Sequence, residues 1–296
     1  MTKVLASPLS RKATLVALNV SQWTGRKLDK EITAETNERH NASEDAGRYN
    51  KLLLEKHRFE RINAAVTALR DLHYKYTKPW AEKGIGILPN VVHVEFSNKL
   101  RKLEREYNEA ADEFRDKFAE AIEERKRKLN GMFNPSNYPD PDEIRGKFKL
   151  VVKTYPVPDA DDFRSDVLDD ATVADIKREL VESNETVLTD AMKHTAKQIT
   201  EVVGHMAEKL REYGEREKSG KRVFFFDSLV ENVRDLASLL PAFNLTDDPK
   251  LRKIAARISK ELTHDDAKVL RENDAAREAV AKSAEDILKD VSVLLG

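Results

Sequence analysis

Hydrophobic residues recur along this chain with two periods, and each period marks a different kind of element. Val16, Leu18 and Val20 alternate with Ala17, Asn19 and Ser21, a period of two that predicts a strand, and Trp23-Thr24-Gly25 supplies the turn after it. Ile85, Ile87 and the run Val91-Val92-His93-Val94 predict a second strand, interrupted by Pro89. Phe148 to Val157 is too β-branched and aromatic for a loop and predicts a third, closed by Pro156 and Pro158. Three such strands suffice for a small antiparallel sheet packed on helices.

The longer period dominates elsewhere. Phe59, Ile62, Val66, Leu69 and Leu72 predict an amphipathic helix over roughly 57–77. Phe96, Leu100, Leu103, Tyr107, Phe114, Phe118 and Ile122 predict another over roughly 95–130, stopped at Asn130-Gly131 and followed by a proline-rich connector. A third, over roughly 172–213, carries Val173, Ile176, Leu180, Val187, Ala191, Ile199, Met206 and Leu210 near heptad spacing, the seam of an antiparallel or intermolecular coiled coil. Three shorter helices follow. Asp227 and Ser228 with Glu231, Asp248 with Pro249, and Thr263 with Asp266 mark their starts, and Pro241 marks the end of the first.

Composition narrows the class. With 40% apolar and 35% charged residues and only 10 Gly and 10 Pro among 296, the chain reads as long helices with one buried stripe and several wet faces. Two rods with narrow stripes predict an elongated monomer or a helical homo-oligomer. No cysteine is present, which removes disulfides, thiolate nucleophiles and thiolate metal sites together. No stretch approaches the length of an apolar membrane span and no secretory leader is visible, so the expected setting is the cytoplasm, without membrane partners. The near-neutral total conceals an asymmetry. Residues 1–80 carry 15 Lys/Arg against 9 Asp/Glu, and residues 151–220 carry 10 against 16, so the front suits a polyanion or the chain's own acidic middle.

Catalytic signals are sparse. There is no GxxxxGK, HExxH or GxSxG pattern, and Gly84-Ile85-Gly86 lacks the third glycine and the helix start that a dinucleotide fingerprint needs. Asp159, Asp161 and Asp162 read as a solvated, helix-capping linker rather than a cation loop, because the EF-hand spacing is not met. His194 and His205 share a helix face but stand about 16 Å apart, which suits polar contacts in the helical seam and not one metal. No catalytic residue, metal site or cofactor is expected, and the chain does not read as an enzyme. The constellation that rises above this background is in the basic front. Trp23, Arg26, Lys27, Arg48, Tyr49, Lys51, Arg58 and Arg61, with further aromatics and cations as far as Tyr76, Lys78 and Trp80, interleave positive charge with ring faces. Single-stranded nucleic acid wants that mixture, cations for phosphates and π surfaces for unstacked bases.

Three stretches carry a family likeness. They are Val20-Ser21-Gln22-Trp23-Thr24-Gly25-Arg26-Lys27, then Asp45-Ala46-Gly47-Arg48-Tyr49-Asn50-Lys51-Leu52-Leu53, then Phe226-Asp227-Ser228-Leu229-Val230-Glu231-Asn232 with Phe243 leading into Asn244-Leu245-Thr246-Asp247-Asp248-Pro249. With Phe133-Asn134-Pro135 and Pro158-Asp159-Ala160-Asp161-Asp162-Phe163-Arg164, they resemble a phage and prophage protein family known only as a domain of unknown function. The resemblance implies a viral protein acting in the infected host cell, in a neighbourhood of DNA-handling proteins and ring-forming AAA+ ATPases. It transfers no reaction and no site residue.

The expected fold is α+β and predominantly α-helical: a small antiparallel sheet, long coiled-coil-like helical arms and a C-terminal helical bundle, with segments 1–165, 166–220 and 221–296. The expected function is a multimeric protein that binds or organises nucleic acid through its basic front. The alternative is an interaction scaffold or adaptor, with an AAA+ ATPase as the partner.

Overall fold

A computed structural model describes residues 9–81, 84–215 and 222–295. In chain order, a single turn α1 (Leu9–Lys12) enters β1 (Ala13–Ser21), and β2 (Arg26–Leu28), α2 (Lys30–Arg39) and β3 (Asn50–Leu52) follow. Helix α3 (Glu60–Tyr76) leads to β4 (Lys78–Pro79) and β5 (Ile85–Pro89), then α4 (His93–Asp116), α5 (Phe118–Leu129) and β6 (Lys149–Pro156). The remainder is helical: α6 (Asp170–Arg211), α7 (Ser228–Phe243), α8 (Pro249–Glu261), α9 (Ala267–Glu272) and α10 (Asp274–Leu295). The fold is α+β and mostly helical, with a small antiparallel sheet in the order β4-β5-β1-β6 and a two-stranded ribbon of β2 and β3. Among the described residues no helix is long and apolar enough to cross a membrane.

Strands β1 and β6 fall where alternation places them. The run Val91 to Val94 does not extend β5. Pro89 has no N–H for a ladder, a 3₁₀ turn occupies Asn90–Val92, and α4 begins at His93, leaving Val91 81% exposed and Val94 72% exposed. The rod expected over 95–130 is interrupted at Lys117, yet its hydrogen-bond chain persists, since Lys117 N donates to Glu113 O and Ala121 N to Lys117 O. It ends where expected, although Asn130 rather than Gly131 takes the positive φ, at 45°.

The chain divides into two compact units, one made of residues 1–16, 76–94 and 154–296, the other of residues 17–75 and 95–153. The main core of the first unit lies among α6, α7, α8 and α10. Ile199, Val203, Met206 and Leu210 of α6 meet Val233 and Leu240 of α7, Ile258 of α8, and Ala281, Ile287 and Val291 of α10. A smaller core joins Leu15, Ile87 and Val157 to Val187 and Leu188 of α6. The heptad seam of α6 is therefore buried from Val187 onward and not over its first four turns. His194 and His205 are exposed and lie outside the seam that the spacing assigns them to.

Three local expectations for the C-terminal helices change. Pro241 sits inside the last turn of α7 and removes one i→i−4 hydrogen bond there without ending the helix, which runs on to Phe243. Asp248 caps α8 by accepting from Lys250 N at 2.7 Å, as expected. Asp227 rather than Ser228 precedes α7, and its carboxylate accepts from Arg271 at 2.8 Å. The last helix is two helices, because Asn273 has an extended backbone and its side chain caps α10 by accepting from Ala276 N at 3.1 Å. Thr263 does not cap either one and donates to Ser259 O.

The boundary expected between the segments 166–220 and 221–296, in the charged stretch Glu215 to Lys221, lies outside the described residues from 216 on. The packing of α6 nevertheless decides what its cleavage would release. A fragment of residues 222–296 lacks the wall formed by Ile199, Val203, Met206 and Leu210, each at most 2% exposed. At about 1.5–3 kcal/mol per buried side chain that loss rivals the whole stability of a typical domain. The fragment expressed alone is expected to show no cooperative melt by circular dichroism. A cooperative transition with native helix content would refute this.

The core of the second unit joins Ile62, Val66 and Leu69 of α3, Tyr107, Ala110, Ala111 and Phe114 of α4, and Phe118 and Ala121 of α5, with Ile144 and Phe148 closing it. The α3 residues are the amphipathic stripe that the sequence displays.

Candidate nucleic-acid interface

Strand β1 carries the chain to Gln22, and the turn Trp23-Thr24-Gly25 reverses it into β2. Gly25 has φ +62°, and a Cβ there would lie 2.5 Å from the Phe59 ring, so the turn needs glycine both for its conformation and for the approach of Phe59. That approach fixes Trp23. Its ring lies 6.0 Å from Phe59, 6.3 Å from Phe114 and 5.5 Å from Phe118, tilted or edge-on in each case, geometries that aromatic quadrupoles favour. One part of the indole belongs to the core, and the rest remains accessible.

Trp23 lines a cleft of about 390 Å³ together with Gln22, Thr24, Arg26, Lys56, Phe59 and Asn63. Arg26 and Lys56 are exposed there, and Gln22 Nε2 donates to Asn63 Oδ1 at 3.2 Å. The cleft thus offers an aromatic wall, two cations without ion-pair partners among the described residues, and an amide pair with spare donors and acceptors. Strand pairing sets Arg26 opposite Leu52 and Lys27 opposite Lys51. Lys27 on β2, and Arg48 and Tyr49 in the segment that enters β3, are exposed outside the cleft.

The other cations singled out by sequence are committed internally. Lys51 is 5% exposed; its ammonium donates to Asp29 at 2.8 Å and to Met132 O at 3.0 Å. Asp29 in turn caps α2 through Ile32 N, and its carboxyl is held below the usual range, first by the Lys51 hydrogen bond. Arg58 is clamped between Glu120 and Glu124, at 3.1 and 2.6 Å, which holds the guanidinium above its ordinary value and the Glu124 carboxyl below its own. Arg61 pairs with Glu113 and Glu109. Arg58 and Arg61 border a second cavity, of about 170 Å³, over Phe114 and Phe118. It is smaller than the several hundred Å³ of a usual ligand site, and acidic partners already neutralise its arginines.

Of the eight residues, then, Trp23 and Arg26 share the cleft, Lys27, Arg48 and Tyr49 lie exposed nearby, and Lys51, Arg58 and Arg61 are paired. Tyr76, Lys78 and Trp80 belong to the other unit, and Tyr76 and Lys78 are each 1% exposed. Sequence reasoning missed Gln22, Lys56 and Asn63 as wall residues. The available signal was spacing: Asn63 follows Phe59 by one helical turn, so the polar and aromatic walls rise together.

Among the described residues no group of three or more His, Asp or Glu could hold a metal ion. Asp159 instead accepts from Ser10 Oγ at 2.5 Å and from Asp161 N at 3.0 Å. No protein-family model, curated protein or solved structure matches the chain.

Proposed function

We propose that this protein binds single-stranded nucleic acid at the Trp23 cleft. The observation that supports this is the convergence of an accessible indole, two cations (Arg26 and Lys56) without ion-pair partners among the described residues, and an amide pair in one concavity. An unstacked base needs a ring face, and the flanking phosphates need cations that are not already spent on carboxylates. Lys27, Arg48 and Tyr49 are exposed outside the cleft and add two cations and a ring to the same unit.

Fluorescence anisotropy of a labelled 20-residue oligothymidine tests it. At about 50 mM salt the wild type is expected to bind. The double variant Arg26→Glu/Lys56→Glu should bind at least about tenfold more weakly, with a salt slope smaller by roughly 1.4, because each lost single-strand phosphate contact removes about 0.7. Both residues are exposed, so helix content should not change. Absence of wild-type binding, or an unchanged double variant, removes the proposal. Lys51 is unsuitable for such a test, because its replacement strands the Asp29 carboxylate.

A further inference from the structure

The first four turns of α6 form an amphipathic helix that the protein does not use for its own cores. Asp169 starts the helix by accepting from Thr172 N at 2.9 Å. Val173, Ile176 and Leu180 then continue, at helical spacing, the same stripe that becomes buried at Val187. These three residues are only half-buried and join none of the three apolar cores. Val181 beside them is 46% exposed and Val167 in the preceding segment 92%. Asn184 marks the end of this free stretch, its side chain donating to Pro158 O at 2.9 Å.

Charge selects the occupant. Residues 170–186 hold five Asp/Glu against two Lys/Arg, and Arg178 is already paired with Asp175 at 2.6 Å. A second copy laying the same stretch on this one would bring two net acidic surfaces together, which is repulsive. A nucleic acid is excluded for the same reason. An apolar stripe flanked by carboxylates fits a helix with Leu-type residues on one face and Lys/Arg beside them.

We infer that α6 residues 170–186 are a docking surface for a basic amphipathic helix of another protein, seated on Val173, Ile176 and Leu180. The surface lies on a different element from the Trp23 cleft, so either can fail without the other.

The probe is a synthetic 21-residue peptide with Leu at the a and d positions and Lys elsewhere. A peptide of equal composition but scrambled order serves as control. The full chain is expected to bind the patterned peptide at least about tenfold more tightly than the scrambled one. Ile176→Ser/Leu180→Ser should abolish that preference, and Glu179→Lys/Glu182→Lys should weaken binding of both peptides. All four side chains are exposed or half-buried, and unchanged helix content and melting would show that the variants fold. Equal binding of the two peptides, or a preference that survives Ile176→Ser/Leu180→Ser, overturns the inference. So does self-association of the wild type in sedimentation that the serine variant disperses, because the occupant would then be a second copy.

Discussion

Replacing Lys78 with methionine is expected to stabilise the protein at neutral and lower pH, and to remove a pH dependence that the wild type carries. Lys78 on β4 is 1% exposed. Its ammonium lies 3.6 Å from the centre of the Phe243 ring and donates to Gln198 Oε1, with no carboxylate among these partners. Burial pushes it down to about 7 from its ordinary 10.5. The unfolded chain therefore holds a proton between about pH 7 and 10.5 that the folded chain has lost, and stability rises with pH across that window. Below about 7 both states are charged and the full penalty of burying the ammonium remains. A shift of this size corresponds to at most about 5 kcal/mol. Methionine fills a similar volume without the charge, and half-buried Gln198 can turn to water. Urea midpoints of both proteins from pH 6 to 10 check this. The variant's advantage should be largest at pH 6 and shrink steadily above 7, and parallel curves would refute it.

Phe118→Ala is expected to have the opposite effect, a loss of about 3–5 kcal/mol, the usual cost of deleting a buried phenyl ring. Phe118 is 1% exposed, opens α5 just after the break at Lys117, and touches both Trp23 and Phe114. The cavity it leaves would release the edge of the indole that Phe118 holds. Beyond the fall in melting temperature, the emission of Trp23, read in a Trp80→Phe background, should shift to the red. Oligothymidine affinity should fall at temperatures where the variant is still folded. An unchanged spectrum in a destabilised protein would show that Phe59 and Phe114 orient Trp23 without it.

Local pattern was sufficient for β1, α3, β6 and α8, because in each an apolar or β-branched run of the right period and length meets no competing signal inside it. It failed where a short β-branched run competed with a helix start, as at Val91 to Val94. It failed again where a single side chain divides a periodic run, as Asn273 divides α9 from α10. Ser228 and Thr263 look like caps in sequence, but each helix start was settled by which neighbour competed for the groups involved, Arg271 for Asp227 and Ser259 O for Thr263.

The candidate site was legible in residue type and not in role. Sequence placed Trp23, Arg26, Lys51, Arg58, Arg61 and Lys78 in one basic, aromatic front, as though all were surface cations and rings. The structure divides them: Arg26 is exposed in a cleft, Lys51 and Arg58 are held by carboxylates 22 to 66 positions away, and Lys78 is buried against Phe243. By itself the sequence determined the fold class, most of the helices and strands, and the asymmetry of charge, because those follow from periodicity and composition within a few turns of chain. Only the tertiary structure decided which cations stay free of carboxylates among the described residues, which part of α6 stays out of the apolar cores, and which residues make up each compact unit. A charge is neutralised, and an apolar stripe covered, by partners that folding brings from far along the chain, and no local pattern encodes them.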